Sequence, residues 1–330
     1  MIPLARLAEP PRLDSLREEV LAGLGGTPKT LPARLLYDAG GSRLFDRITT
    51  LPEYYLTRTE LEILRRCLGE LAELVGPDAL VVEPGSGNGA KAQMLLGALV
   101  RPRAYVPVDV AVSQLRSLAR TLRDQPMEVE IHPVVADYTR PFELPLAPAA
   151  FRRTLVFFPG STIGNFALEE AVAFLAMLGR LAGPEGALLL GADLRKSPRI
   201  LEPAYNDSAG LTAAFNRNVL LHLNRALGTH FDPLAFRHHA PWVPDESRIE
   251  MRLVSVRHQV VRVPVGAGER PAEVRVELEP EEPIVTEHSY KYWPEDLERL
   301  VGRAGWTTVR EWRDEAGWYS VRFLERSAAE

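Results

Sequence analysis

Residues 80–91 read Leu80-Val81-Val82-Glu83-Pro84-Gly85-Ser86-Gly87-Asn88-Gly89-Ala90-Lys91, an apolar run followed by an acid and a glycine-rich turn. The next run, 90–99, places apolar residues at helical spacing. A strand, a loop and a helix in this order are typical of a nucleotide-binding α/β unit. Because glycine has no Cβ, such a loop turns tightly and approaches a ligand closely. An ordinary tight turn between strand and helix also fits the loop alone.

Strands and helices alternate from Leu80 to about Arg195. The predicted strands are 80–83, 104–109, 128–136, 154–158 and 187–192, and the predicted helices are 90–99, 112–123 and 168–181. This alternation predicts a parallel sheet with helices on both faces and ligands at the carboxyl ends of the strands. Asp109 and Asp137 follow two of these strands. A carboxylate at the position of Asp109 can accept hydrogen bonds from both hydroxyls of a ribose.

The pattern changes on both sides of this region. Thr57 and Glu60 have the spacing of a capping box, which predicts the start of a helix reaching about Val75. A long helix is predicted over 209–227, ended by Gly228. Further predicted elements are antiparallel strands of an added lobe at 248–263, 272–278 and 282–292, and a final hairpin at 307–312 and 318–324.

The composition limits the classes of protein to which the chain can belong. The chain has 330 residues, of which 46% are hydrophobic and 25% charged, as in an ordinary globular protein. A net charge of −5 gives no reason to expect a nucleic-acid or membrane partner. A single cysteine, Cys67, excludes a disulfide framework and favours a cytoplasmic setting. Residues 1–6 lack the apolar core of a signal peptide, and no run has the roughly 20 apolar residues of a membrane span.

The glycine spacing distinguishes between two kinds of nucleotide. A dinucleotide loop has the pattern G-x-G-x-x-G, whereas the glycines here are Gly85, Gly87 and Gly89. Glu83 lies directly before the loop, where it would repel a pyrophosphate but would suit the cationic sulfonium of S-adenosylmethionine. Lys91 could meet the carboxylate of that cofactor at the start of the helix. The loop therefore favours a methyl donor over a nicotinamide dinucleotide.

More specific segments lie elsewhere in the chain. They are Leu36-Tyr37-Asp38-Ala39-x-Gly41-Ser42-x-Leu44-Phe45, Leu51–Tyr55, Gly160-Ser161-Thr162-Ile163-Gly164-Asn165, 213–218, Arg248-Ile249-Glu250-Met251, and Thr286-Glu287-His288-Ser289-Tyr290-Lys291. On these segments the chain resembles, over nearly its whole length, the histidine Nα-methyltransferases of ergothioneine biosynthesis.

The resemblance implies an α/β fold, with a Rossmann-like class I methyltransferase sheet and a second α+β substrate-binding lobe. It places the donor-binding domain at 58–196 and 287–330, and the substrate-binding domain at 1–57 and 197–286. It implies a monomer that uses S-adenosylmethionine to trimethylate the α-amino group of L-histidine, giving hercynine. Relatives in the wider family methylate other amines, such as a prenylated tryptophan, so another amino acid or amine is the alternative substrate.

The resemblance also implies roles for individual residues, and it places no metal here. Tyr54, Asn165 and Tyr205 would hold the amino-acid end of the substrate. Glu287 and Ser289 would hold its imidazole ring, and Met251 would line the pocket. The positions that match donor-binding residues are Gly85, Ser86, Lys91, Asp109, Asp137 and Tyr138. The positions expected at the reacting amine are Tyr37, Tyr54 and Gly160, with Tyr37 as an orienting group.

The spacing of Glu287 and Ser289 suits this chemistry. Residues two apart in a strand point to the same face, so a carboxylate and a hydroxyl could bond both imidazole nitrogens. Without the resemblance, these residues would fit a solvated strand face, Asn165 a turn and Tyr205 a packing position. The adjacent His238 and His239 have poor geometry for one metal ion and are predicted to be surface or packing residues.

Overall fold

The structure is a computed structural model that describes residues 13–125, 127–266 and 272–327. It divides into two compact units. Of the described residues, unit 1 comprises those within Leu56–Arg195 and those from Tyr290 to Ser327, and unit 2 comprises Leu13–Tyr55 and those within Lys196–Ser289. The expectation drawn from residues 1–6 lies outside the described residues.

The helices and strands are as follows. The α-helices are α1 (Leu13–Leu24), α2 (Ala39–Ile48), α3 (Tyr55–Val75), α4 (Ala90–Ala98), α5 (Val112–Arg123), α6 (Leu168–Ala182), α7 (Pro198–Tyr205), α8 (Leu211–Leu227) and α9 (Pro294–Arg303). The strands are β1 (Lys29–Thr30), β2 (Ala79–Pro84), β3 (Ala104–Asp109), β4 (Glu130–Ile131), β5 (Val134–Val135), β6 (Arg153–Phe158), β7 (Ala187–Asp193), β8 (Phe236–His239), β9 (Trp242–Val243), β10 (Arg248–Ser255), β11 (Gln259–Val265), β12 (Ala272–Leu278), β13 (Pro283–Tyr290), β14 (Trp306–Arg313) and β15 (Tyr319–Arg326). Within the described ranges, no helix has both the length and the apolar composition needed to cross a membrane.

Unit 1 contains the predicted parallel sheet. Its strands lie in the order β14-β15-β7-β6-β2-β3, and β4 and β5 both pair with β3. Strands β7, β6, β2 and β3 are parallel, while β15 runs antiparallel to β7 and to β14. Every residue of β2 and β7 is buried, because helices cover both faces of a parallel sheet. The Rossmann-like class I methyltransferase fold and its closing hairpin are confirmed.

Two details of unit 1 differ from the prediction. The predicted strand 128–136 is two short strands separated by Pro133, which has no N–H to donate to a ladder. Helix α3 begins at Tyr55, so Thr57 and Glu60 lie inside the helix and form no capping box. The carboxylate of Glu60 bonds instead to residues elsewhere in unit 1, as described below.

Unit 2 contains a mixed sheet. The strand order is β1-β13-β10-β8, with β9 also on β10, and β11 and β12 form a separate hairpin. Helix α8 ends at Leu227 and is followed by Gly228 in the left-handed conformation, as predicted. The predicted strand 248–263 is broken after Ser255, whose hydroxyl donates to the carbonyl of Arg257. Strand β1 was not predicted, and it pairs in parallel with β13, so the lobe is not purely antiparallel.

The two units meet at three borders within the described residues. Domain borders were predicted between residues 57 and 58 and between 196 and 197, and the units change between residues 55 and 56 and between 195 and 196. The third border lies at 289/290 rather than 286/287, because β13 is hydrogen-bonded to strands of unit 2. Glu287 and Ser289 therefore belong to unit 2.

Candidate active site

The loop between β2 and α4 needs its glycines. Gly85, Gly87 and Gly89 all have positive φ, of 71°, 52° and 73°. A Cβ on Gly89 would lie 2.1 Å from Cδ1 of Leu118 on α5, and a Cβ on Gly85 would lie 3.1 Å from the ring of Tyr138. The turn is thus left-handed and closely packed, and two predicted donor-binding residues, Gly85 and Tyr138, are neighbours.

Ser86 places an unsatisfied hydroxyl in the glycine loop. Its side chain is buried, and its Oγ has no hydrogen-bond partner among the described residues. A buried hydroxyl without a partner is destabilising by about 1–3 kcal/mol, so such groups are rare in folded proteins. A polar ligand held against this loop would satisfy it. The loop therefore fits the predicted methyl donor.

The two acids at the ends of the neighbouring strands have different surroundings. Asp109 accepts hydrogen bonds from the backbone N–H of Ala111 at 2.9 Å and of Gly87 at 3.4 Å, so it lies against the glycine loop. Burial raises its pKa, although these bonds oppose the shift. Asp137 accepts from the N–H and the hydroxyl of Thr139, at 3.1 and 2.6 Å, and fixes the turn that carries Tyr138.

Glu83 lies at the end of β2 with only 2% of its surface exposed. Burial raises its pKa to about 8, and the nearby carboxyls of Asp109 and Glu60 act in the same direction. The hydroxyl of Tyr105, which donates to Glu83 Oε2, and the ammonium of Lys91 oppose the rise. The carboxyl is therefore mostly protonated at neutral pH and half ionised near pH 8, and a nearby cation would favour the ionised form.

Glu60 is the main residue of unit 1 that the sequence reasoning missed. Its Oε2 accepts from Nζ of Lys91, and its Oε1 accepts from the hydroxyl of Tyr319 at 2.8 Å. The backbone N–H of Gly160 lies 2.9 and 3.0 Å from the two oxygens. A Cβ on Gly191 would lie 2.0 Å from Oε1, so the strand below leaves room for this carboxylate. Glu60 thus connects the start of α4 with the turn after β6.

The sequence did contain a signal for Glu60. Glu60 lies four residues after Leu56 and three and four residues before Ile63 and Leu64, and these three neighbours on the helix face are buried. An acid on the apolar face of an amphipathic helix needs partners in the interior.

The turn after β6 is held at several points. Gly160 and Ser161 have positive φ, of 80° and 57°. Ser161 Oγ accepts from the N–H of Asp193 at 2.9 Å. The hydroxyl of Tyr292 donates to the carbonyl of Ile163 at 3.1 Å, inside the short 3-10 turn Thr162–Asn165. Asn165, half-buried, ends this turn in unit 1.

In unit 2, strand β13 presents the predicted pair on one buried face. Glu287 and Ser289 are buried, whereas His288 between them is partly exposed. The hydroxyl of Tyr205 lies 2.7 Å from Ser289 Oγ, and the hydroxyl of Tyr37 donates to Glu287 Oε1 at 3.3 Å. Each polar group of the pair thus has a tyrosine beside it.

Aromatic rings hold these tyrosines in place. Tyr37 packs edge-on against Phe45 and Phe215, with ring centres 5.5 and 5.2 Å apart. Tyr54 packs edge-on against Phe45 at 6.0 Å and Tyr205 at 6.4 Å. The three tyrosines predicted for the site in unit 2 therefore belong to one cluster.

Met251 lies on the neighbouring strand β10 and is 2% exposed, as a wall residue would be. Its carbonyl accepts from the hydroxyl of Thr286 at 3.1 Å.

Further polar residues of unit 2 were not predicted. Asn218 donates to Asp38 Oδ1 at 2.6 Å, and Asp38 also accepts from the N–H of Gly41 at 2.8 Å and so caps α2, directly after Tyr37. His238, predicted as a surface or packing residue, is half-buried, and both of its ring nitrogens have hydrogen-bond partners.

Comparison with known proteins adds independent information. A family model described as "Histidine-specific methyltransferase, SAM-dependent" matches residues 16–326. The chain is 41% identical over 323 residues to the Histidine N-alpha-methyltransferase of Mycolicibacterium smegmatis, covering 97% of this chain and 98% of that protein. It is 43% identical over 306 residues to the protein of the same name from Mycobacterium tuberculosis, covering 92% of each. It is also 34% identical over 290 residues to Ergothioneine biosynthesis protein 1 of Neurospora crassa, covering 86% of this chain and 32% of that protein.

Proposed function

The chain belongs to the family of S-adenosylmethionine-dependent, histidine-specific methyltransferases, and on that premise we propose that it trimethylates the α-amino group of L-histidine to give hercynine. This reaction is a step of ergothioneine biosynthesis. The observation that carries the proposal is the buried pair of Glu287 and Ser289 on one face of β13, each beside a tyrosine hydroxyl.

The pair suits an imidazole ring. A carboxylate accepts from one ring N–H, and a hydroxyl, which both donates and accepts, can bond the other nitrogen in either protonation state. Tyr37 donates to Glu287 and so orients the carboxylate. An apolar side chain offers no N–H to the carboxylate and no ring nitrogen to the hydroxyl, and a site that hydrogen-bonds its substrate can reject such an analogue by about 10⁴-fold. The site therefore favours histidine over phenylalanine or leucine.

Unit 1 supplies the groups for the methyl donor. S-adenosylmethionine, when bound, supplies the activated methyl group. Ser86 Oγ and the left-handed glycine loop would hold its polar atoms, and Asp109 would accept from its ribose hydroxyls. Lys91 would meet its carboxylate, and Glu60 would hold Lys91 in position. Asp137 and Tyr138 would complete this site beside Gly85.

Methyl transfer needs the lone pair of a neutral amine, so the α-ammonium group of histidine loses one proton to solvent before each of the three transfers. Holding the neutral amine in line with the methyl carbon provides most of the rate gain. Tyr54, Tyr205 and Asn165 would hold the amino-acid end of histidine without a fixed positive charge, which suits a product that is itself a cation. Gly160, in unit 1, stays a predicted position at the reacting amine.

The test is mass analysis of the product after incubation with S-adenosylmethionine and either histidine or a panel of other amines. We expect trimethylated histidine as the end product. Transfer that stops after one methyl group, or a preference for a tryptophan derivative, would overturn the proposal. A Glu277→Ala variant, altered at an exposed position of the β11–β12 hairpin, serves as a control for a Glu287→Ala variant.

The protein is also proposed to act as a monomer in the cytoplasm. Its single cysteine, Cys67, is buried, and burial raises the pKa of its thiol to about 11, which suits an unreactive thiol in a reducing compartment. Light scattering of the purified protein and fractionation of the source cell test these two statements.

A further inference from the structure

Tyr205 is anchored at both ends. Its hydroxyl lies 2.7 Å from Ser289 Oγ, and its backbone carbonyl lies 2.8 Å from Nε2 of His238. Tyr205 is the last residue of α7, where backbone carbonyls lack partners within the helix. The imidazole ring of His238 therefore caps this helix end and fixes the main chain from which the tyrosine side chain extends.

The buried side-chain amide of Asn216 determines which ring nitrogen of His238 accepts a hydrogen bond. Asn216 is fully buried, and its Nδ2 lies 2.9 Å from His238 Nδ1 and 3.1 Å from the carbonyl of Arg252. Its Oδ1 accepts from the hydroxyl of Thr286 at 2.7 Å. A backbone carbonyl only accepts hydrogen bonds, so the NH₂ group of Asn216 must face Arg252. The same NH₂ group then faces His238 Nδ1.

The tautomer of His238 follows from these contacts. Nδ1 faces a donor and must accept, while Nε2 faces the carbonyl of Tyr205 and must donate. Both neighbours thus select the neutral ring with its proton on Nε2. Burial lowers the pKa of His238. Of the charged groups near it, Arg217 and His239 also lower the pKa, and Asp207 raises it, as does the bond to Tyr205.

We propose that His238 is a positioning residue for the acceptor site, which fixes Tyr205 through its Nε2–H and links it through Asn216 to strand β13. The proposal rests on the proposed function, because it takes β13 and Tyr205 to bind the substrate. A proton on Nδ1 would face the NH₂ of Asn216, and turning that amide would put Oδ1 against the carbonyl of Arg252. The neutral ring with its proton on Nε2 is therefore the form that is compatible with all of these hydrogen bonds.

The first arm of the test reads the tautomer directly. Long-range ¹H–¹⁵N NMR of the protein labelled at histidine, with His238→Gln used to assign the signal, distinguishes Nε2–H, Nδ1–H and charged rings. We expect a neutral Nε2–H ring at pH 7. A ring protonated at Nδ1, or one that is charged at this pH, would overturn the proposal. This arm needs no substrate, so it does not depend on which amine is methylated.

The second arm separates positioning from general folding. His238→Phe removes both ring bonds, and we expect the KM for histidine to rise on the order of 10- to 100-fold, while the affinity for S-adenosylhomocysteine stays within about twofold. His238→Gln keeps an N–H near the position of Nε2 and should restore most of the affinity for histidine. His239→Phe changes the exposed neighbour and is the matched control.

Three results would contradict the proposal in this arm. They are an unchanged KM for histidine in His238→Phe, equal losses for histidine and S-adenosylhomocysteine, and no rescue by His238→Gln. If His238→Phe does not fold, the tautomer of the wild-type ring and the KM of His238→Gln for histidine still test the proposal. If the wild-type protein methylates no histidine at all, the proposed function fails, whatever the tautomer of His238.

Discussion

Raising the pH from about 6.5 to about 8.5 should tighten the binding of S-adenosylmethionine about 25-fold, because Glu83 titrates across this range. Burial raises the pKa of Glu83 to about 8, so the carboxyl is mostly neutral at the lower pH and mostly ionised at the higher. If the cationic sulfur binds only beside the ionised form, the apparent dissociation constant scales with 1 + 10^(pKa − pH). This factor falls from about 33 to about 1.3 over the interval.

Calorimetry with two ligands isolates this effect. S-adenosylhomocysteine shares every titrating group of the donor but has a neutral sulfur, so the ratio of the two dissociation constants removes their common pH dependence. The ratio should change with pH in the wild-type protein and stay flat in Glu83→Gln. Tyr105→Phe removes the hydrogen bond that lowers the pKa of Glu83, so it should move the midpoint to higher pH. A flat ratio in the wild type, or an unchanged slope in Glu83→Gln, would show that ionisation of Glu83 does not control binding of the sulfonium.

Three further perturbations test other parts of the two units. Glu60→Gln keeps one acceptor oxygen but loses the charge pair with Lys91, so calorimetry should show binding of S-adenosylhomocysteine weakened about tenfold; unchanged affinity would show that Glu60 does not position Lys91. Glu287→Ala should raise the KM for histidine on the order of 100-fold in steady-state kinetics, with donor affinity retained; equal losses would contradict its contact with imidazole. Gly89→Ala places a Cβ 2.1 Å from Leu118 at a φ of 73°, so urea denaturation should show a loss of about 1–3 kcal/mol in unfolding free energy, and a loss below about 0.5 kcal/mol would show that the loop relaxes.

Local patterns were enough to predict the sheet of unit 1. Strands β2 and β7 are short apolar runs bounded by turn residues, and such runs carry their own signal. The pair of Glu287 and Ser289 was predictable for the same reason, since strand alternation depends only on spacing. Strand β1, in contrast, is two residues long and is defined by its partner β13, so its own residues carry no such signal.

The polar networks could not be predicted because their members are far apart in the chain. Glu60 bonds to residues that lie 31, 100 and 259 positions away, and each bond depends on the strand order of the sheet in unit 1. His238 depends on the carbonyl of Arg252, which acts through the amide of Asn216. A backbone carbonyl is present at every residue, so the sequence holds no sign of which one will select a tautomer.

A crystal structure with histidine and S-adenosylhomocysteine bound would show where the imidazole ring lies. We expect one imidazole nitrogen within hydrogen-bond distance of the Glu287 carboxylate and the other within hydrogen-bond distance of Ser289 Oγ. An imidazole bound elsewhere, or a histidine whose α-amino group contacts Glu287, would contradict this expectation.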